Sequence, residues 1–117
     1  MTRLLRAEAA VLALVLLAML VQIGPPWWLW VLVLVTPDLS LFGYLRGPRQ
    51  GAVIYNLAHS SIGPALLGLV SILAGPAPLL SAVAMLWGLH VAVDRALGYG
   101  LKHRTVFRDT HLGRIGR

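Results

Sequence analysis

The sequence predicts an all-α integral membrane protein of four transmembrane helices with both termini cytoplasmic, and three observations carry that expectation. Of 117 residues, 58% are hydrophobic and 12% are charged, where an ordinary globular protein is about a quarter charged. The apolar residues fall into four runs, each near the ~20 residues that a bilayer-crossing helix needs. Strands of a membrane barrel would instead alternate polar and apolar over ~10 residues. The cationic residues gather at alternate boundaries of these runs. Arg3 and Arg6 precede the first, Arg46 and Arg49 separate the second from the third, and Lys102, Arg104, Arg108, Arg114 and Arg117 follow the fourth, while the other two turns carry no charge. The positive-inside rule then places both termini and the middle turn in the cytoplasm. The net charge of +6 is accounted for by this topology, so no nucleic-acid partner is inferred. Membrane lipids are the expected partners, with the basic tail against anionic headgroups.

The whole chain, 1–117, reads as one domain. The first helix spans about Leu4 to Ile23 and stops at Gly24-Pro25-Pro26, because proline has no amide donor to continue a helix. Its apolar run is longer than a signal core and lacks a small-residue cleavage site after it, so it is expected to be retained. The second helix covers 27–45. Trp27, Trp28 and Trp30 at its start fit the aromatic belt of the outer interface. Inside it, Thr36-Pro37-Asp38 predicts a kink or a break, and the carbonyl that Pro37 frees must be covered by protein or water. A basic turn, Arg46 to Gly51, leads to a third helix over 52–74. Gly75-Pro76-Ala77-Pro78 turns the chain into a fourth helix over 79–101, and the basic cytoplasmic tail occupies 102–117.

The informative residues are the ionisable ones within the apolar runs: Glu8, Asp38, His59, His90 and Asp94. An acid near the bilayer centre costs ~2.5–3.5 kcal/mol by insertion scales, so such groups need mutual compensation, water or a cation. Asp38, His59 and Asp94 each lie eight residues from a cytoplasmic boundary, about 12 Å at helical rise. His90 is one turn from Asp94 on the same face. Asn56, three before His59, and Gly63, four after it, extend one stripe of the third helix. Imidazole with carboxylate suits zinc, manganese or iron, calcium prefers oxygen alone, and a thiolate site is excluded by the absence of cysteine. Asp38, His59, His90 and Asp94 are therefore the expected ligands of a divalent transition metal, with Glu8 as general base. Ser60 neighbours His59 and points away from it on a helix, which argues against a serine–histidine pair. Three other readings of the polar layer stand beside this one: interhelical hydrogen bonding in a structural or accessory protein, haem held by His59 and His90, and proton transfer.

Four strings carry a resemblance: Pro37-Asp38-Leu39-Ser40 with Gly43-Tyr44, Tyr55-Asn56-Leu57-Ala58-His59, Asp94 through Lys102, and Phe107-Arg108-Asp109-Thr110-His111-Leu112-Gly113. By these the chain resembles the bacterial membrane family catalogued as domain of unknown function 4260, over nearly its whole length. That resemblance implies a multi-pass protein of the bacterial cytoplasmic (inner) membrane and no assigned reaction. A looser similarity, through Pro37-Asp38, His59-Ser60 and the His90/Asp94 pair, runs to predicted membrane-bound metal-dependent hydrolases. It implies hydrolysis of a lipid or another amphiphile. The tail motif would let Asp109 and His111 fold under the bundle and support the ligands, as Asn56 would from within it. His103 is expected solvated at the interface, Arg95 snorkels or pairs with an acid, and interfacial anchoring accounts for Tyr44, Tyr55 and Tyr99 at least as well as catalysis does. Gly43 and Gly47, spaced as GxxxG, are the one signal for a homo-oligomer.

Overall fold

The computed structural model describes residues 2–75 and 77–99 with their side chains, and the backbone of 109–110 and 113–114. The helices are α1 (Thr2–Ile23), α2 (Trp27–Val35), a 3-10 helix (Thr36–Arg46), α3 (Pro48–His59), α4 (Ile62–Leu73) and α5 (Pro78–Leu97). Asp109–Thr110 (β1) pairs antiparallel with Gly113–Arg114 (β2). Among the described residues, four stretches are long and apolar enough to cross a membrane: Thr2–Ile23, Trp27–Arg46, Pro48–Leu73 and Pro78–Leu97.

α1 ends where expected. Gly24 takes a positive φ of 67° and its N–H caps the Leu20 carbonyl, a left-handed stop that favours glycine. The Trp30 indole then donates to the Pro25 carbonyl at 3.3 Å. α5 is the central element, packed against α1, α2 and α4, while α3 packs against the 3-10 helix. The core between α1, α2 and α5 is Leu20, Leu29, Val33, Ala82, Leu86 and Leu89. Leucine, valine and isoleucine side chains cover the outer faces, Leu14, Val21, Ile72 and Leu73 among them.

Three boundaries differ from the sequence reading. The basic turn is a single residue, Gly47, with φ 113°. Its conformation suits glycine, and Pro48 then starts α3 where a missing N–H costs nothing. The third run is two helices, because Ser60 is extended (φ −83°, ψ 146°) and ends α3. Helical periodicity therefore does not run from Asn56 through Gly63. The fourth helix ends at Leu97, not near Leu101, because Gly98 adopts the left-handed conformation and caps the carbonyls of Arg95 and Asp94. Asp94 thus sits in the last turn of α5 and not eight helical residues from its end. The second run breaks at Thr36, as Pro37 predicts.

Gly43 is used within the chain, since a Cβ there would run into the Ile54 side chain. His103 and His111 lie outside the described residues, as does the side chain of Asp109.

Candidate metal centre

Interrupting a helix releases backbone carbonyls, and a released carbonyl away from water needs a donor. Both interrupted spans find theirs on α5. At the first break, the switch to i→i+3 bonding gives the Leu34 carbonyl the N–H of residue 37 as its donor. That residue is Pro37, which has none. His90 Nδ1 takes the place, donating to Leu34 O at 2.6 Å. The Thr36 hydroxyl covers the Leu32 carbonyl one turn back. At the second break, Trp87 Nε1 donates to Ala58 O at 2.7 Å and an Arg95 guanidinium nitrogen to His59 O, also at 2.7 Å. Trp87, His90 and Asp94 share one face of α5, three and then four residues apart. The close approach of Trp87 is allowed by Gly63, where any Cβ would meet the indole ring.

These contacts aim four side chains at one point. His59 Nε2 lies 3.4 Å from an Asp38 oxygen, 3.4 Å from an Asp94 oxygen and 3.1 Å from His90 Nε2. His90 Nε2 is 3.2 Å from the same Asp38 oxygen and 3.2 Å from the same Asp94 oxygen. All four ligand atoms fall within 4.8 Å of one another. His59 is fully buried and His90 nearly so, whereas the Asp38 side chain is 55% exposed and opens the cluster on one side.

The tautomers follow from the backbone. A carbonyl only accepts, so His59 Nδ1, 3.1 Å from Tyr55 O, and His90 Nδ1, 2.6 Å from Leu34 O, both carry protons. Each neutral ring then turns an Nε2 lone pair inward, toward the other lone pair and two carboxylates. A proton on Nε2 can be directed at one acceptor, yet each Nε2 has three neighbours between 3.1 and 3.4 Å. A cation at the centre satisfies all of them together. Ligands ~2.0–2.1 Å from a tetrahedral zinc are separated by edges of ~3.3–3.4 Å, close to the five His–His and His–Asp separations, while the two aspartates stand wider within the 4.8 Å span of the group. The donor set fits a divalent transition ion, and the outer Nδ1–H···O=C bonds are those that commonly orient metal-binding histidines.

Of the residues singled out by sequence, Asp38, His59, His90 and Asp94 come together. Glu8 is not among the four. It is exposed on α1 and lines a separate hollow of about 270 Å³ with Ser61 and Arg95. Asn56 is half-buried one turn before His59. Ser60 Oγ accepts from the Ile62 N–H at 3.1 Å and so starts α4. Arg95 caps α3 and the Tyr99 carbonyl and pairs with no acid by the contacts above. Tyr55 is no interfacial anchor: it is buried and stacks on the His59 ring, centroids 3.9 Å apart and planes at 9°. Its position four residues before His59 on one helix face was the signal for that contact. At 3.1 Å the two Nε2 atoms stand closer together than the ~4 Å between two nitrogens bound on opposite sides of one metal at ~2.0 Å each.

Fold and site define a small helical protein with four membrane-length apolar stretches and a two-histidine, two-aspartate group able to hold a metal. A family model described as Domain of unknown function (DUF4260) matches residues 2–115, and the chain belongs to that family. No curated protein and no solved structure matches the chain, so the similarity to hydrolases has no support from these comparisons.

Proposed function

We propose that the protein is a four-pass protein of the bacterial cytoplasmic membrane, with both termini cytoplasmic, that binds one divalent transition metal (zinc, manganese or iron) through Asp38, His59, His90 and Asp94. Exposed aliphatic side chains around the bundle and the alternation of basic boundaries support the placement. The observation that carries the metal is the convergence of three neighbours on each Nε2. Charge supports it as well. Two carboxylates balance a divalent ion, leaving a neutral centre where isolated charges are costly. Metal content by plasma mass spectrometry of protein purified in mild detergent without chelators tests this. About one metal per chain is expected, lost in His59→Ala and Asp94→Ala. A parent free of metal after incubation with zinc, manganese and iron would refute the assignment and leave the cluster to packing or proton transfer.

A second reading, hydrolysis of a lipid or other amphiphile, is favoured by one further observation. A cavity of about 430 Å³ with almost wholly apolar walls, including Leu29, Leu32, Val83 and Trp87, reaches Pro37 and Ala58. These residues directly precede Asp38 and His59, so an acyl chain in the slot leaves its polar end beside the open side of the cluster. That volume lies within the ~300–1,000 Å³ of small-molecule sites. A bound divalent ion supplies Lewis acidity and an activated water. Glu8 is the general base of this reading. Metal-loaded protein in mixed micelles is expected to cleave a fluorogenic acyl ester, with Glu8→Gln keeping the metal and losing turnover. Equal turnover in the two proteins would remove Glu8 from the chemistry.

A further inference from the structure

Pro37 is buried at the start of the 3-10 helix, directly before the ligand Asp38. Proline within a helix is normally a defect, since it removes one backbone donor and strains the preceding turn. Here the missing donor has a specific recipient. An N–H at position 37 would have reached Val33 O in the i→i+4 register that Thr36 keeps with Leu32, or Leu34 O in the i→i+3 register of the helix that follows, and His90 Nδ1 occupies the second of these acceptors at 2.6 Å. The Thr36 N–H and hydroxyl are both spent on Leu32 O, so the neighbouring residue does not compete for Leu34.

Everything about His90 at the centre depends on this bond. With Nδ1–H held by Leu34 O, the ring plane is fixed and the lone pair lies on Nε2, 3.2 Å from each of the two aspartate oxygens. With Nδ1–H released, the neutral ring is free to take its other tautomer, in which an Nε2–H hydrogen-bonds an aspartate and the nitrogen cannot ligate. His59 has no such dependence on the break in its neighbour, because its Nδ1 donates to Tyr55 O within its own helix.

We propose that Pro37 is a positioning residue: by withholding an N–H from Leu34 O it reserves that carbonyl for His90 and so presets His90 Nε2 as a metal ligand. The metal half of this statement rests on the function proposed above. The tautomer half does not. Replacing Pro37 by Ala returns an N–H at position 37, which competes for Leu34 O.

The test uses the full chain in detergent, labelled with 15N-histidine and free of metal, at a pH where the rings are neutral. Nitrogen chemical shifts report which ring nitrogen bears the proton. In the parent, His90 is expected as the Nδ1–H tautomer, and in Pro37→Ala the Nε2–H form is expected to become substantial while His59 is unchanged. Zinc titration of the same samples is expected to show binding weakened ~10–100-fold in the variant, as when a supporting partner of a ligand is lost. A parent His90 that bears its proton on Nε2 overturns the proposal without recourse to any variant. So does a Pro37→Ala protein whose His90 tautomer is unaltered, even with weaker zinc binding, because Pro37 would then act through Asp38. If neither protein binds zinc but the tautomer shifts as described, the positioning role stands and the metal assignment falls.

Discussion

In the span Trp27–Arg46 the helix is interrupted at Pro37 and continues as a tighter 3-10 helix, with the ligand Asp38 just after the interruption. In the span Pro48–Leu73 the ligand His59 stands just before an interruption made by Ser60, where the backbone becomes extended and a new helix starts. The first break follows from covalent structure, as proline has no N–H. The second follows from covalent structure too, since Pro64 can give the Ser60 carbonyl four residues back no N–H, and contacts complete it: Trp87 and Arg95 on the carbonyls it exposes and Ser60 Oγ on the amide that follows. A freed carbonyl at the first break orients a ligand ring, whereas those at the second are tied down by residues outside the ligand set. The comparison teaches that two proline-encoded breaks beside one site differ in what covers their carbonyls, a ligand ring at the first and non-ligand side chains of a neighbouring helix at the second.

If the second break is maintained from α5, removing a donor there should cost more than removing the local hydroxyl. Arg95→Leu leaves the His59 carbonyl without its charged donor, and about 1.5–3 kcal/mol of stability is expected to go, as for a hydrogen bond to a charged group. Denaturant unfolding in detergent checks it, and an unchanged midpoint would show the break needs no help from α5. Ser60→Ala removes one capping bond to the Ile62 amide and is expected to cost about 1 kcal/mol. A loss larger than that of Arg95→Leu would invert the comparison, making the local hydroxyl and not α5 the main support of the second break.

This difference also explains what could be read from the sequence. The break at Thr36-Pro37 was legible because proline announces it. The break at Ser60-Ser61 was signalled too, by Gly63-Pro64 just beyond it, a signal masked because the apolar run continues into Ile62, Ala65 and Leu66. Asp38, His59, His90 and Asp94 stood out as ionisable residues within apolar runs, the pattern that marks functional positions in membrane segments. Glu8 fits that pattern equally well, yet α1 is apolar nearly all round, with nothing in its sequence to say which side meets α5. The end of α5 was readable in Gly98 but was placed by charge at Lys102. The roles of Tyr55 and of the Trp87 indole are not legible in the sequence, because their partners, a ring one turn away and a carbonyl across the bundle, become visible only with the breaks in place.

α5 donates two of the four ligands, His90 and Asp94, and through Trp87, His90 and Arg95 it serves carbonyls left open in both interrupted spans. It also follows both of them in the chain. During synthesis the two interrupted spans therefore leave the ribosome before the element that completes them, and until it arrives their open carbonyls must find other donors. Assembly of this bundle is ordered in time, with the last helix closing both its predecessors and the centre in a single step.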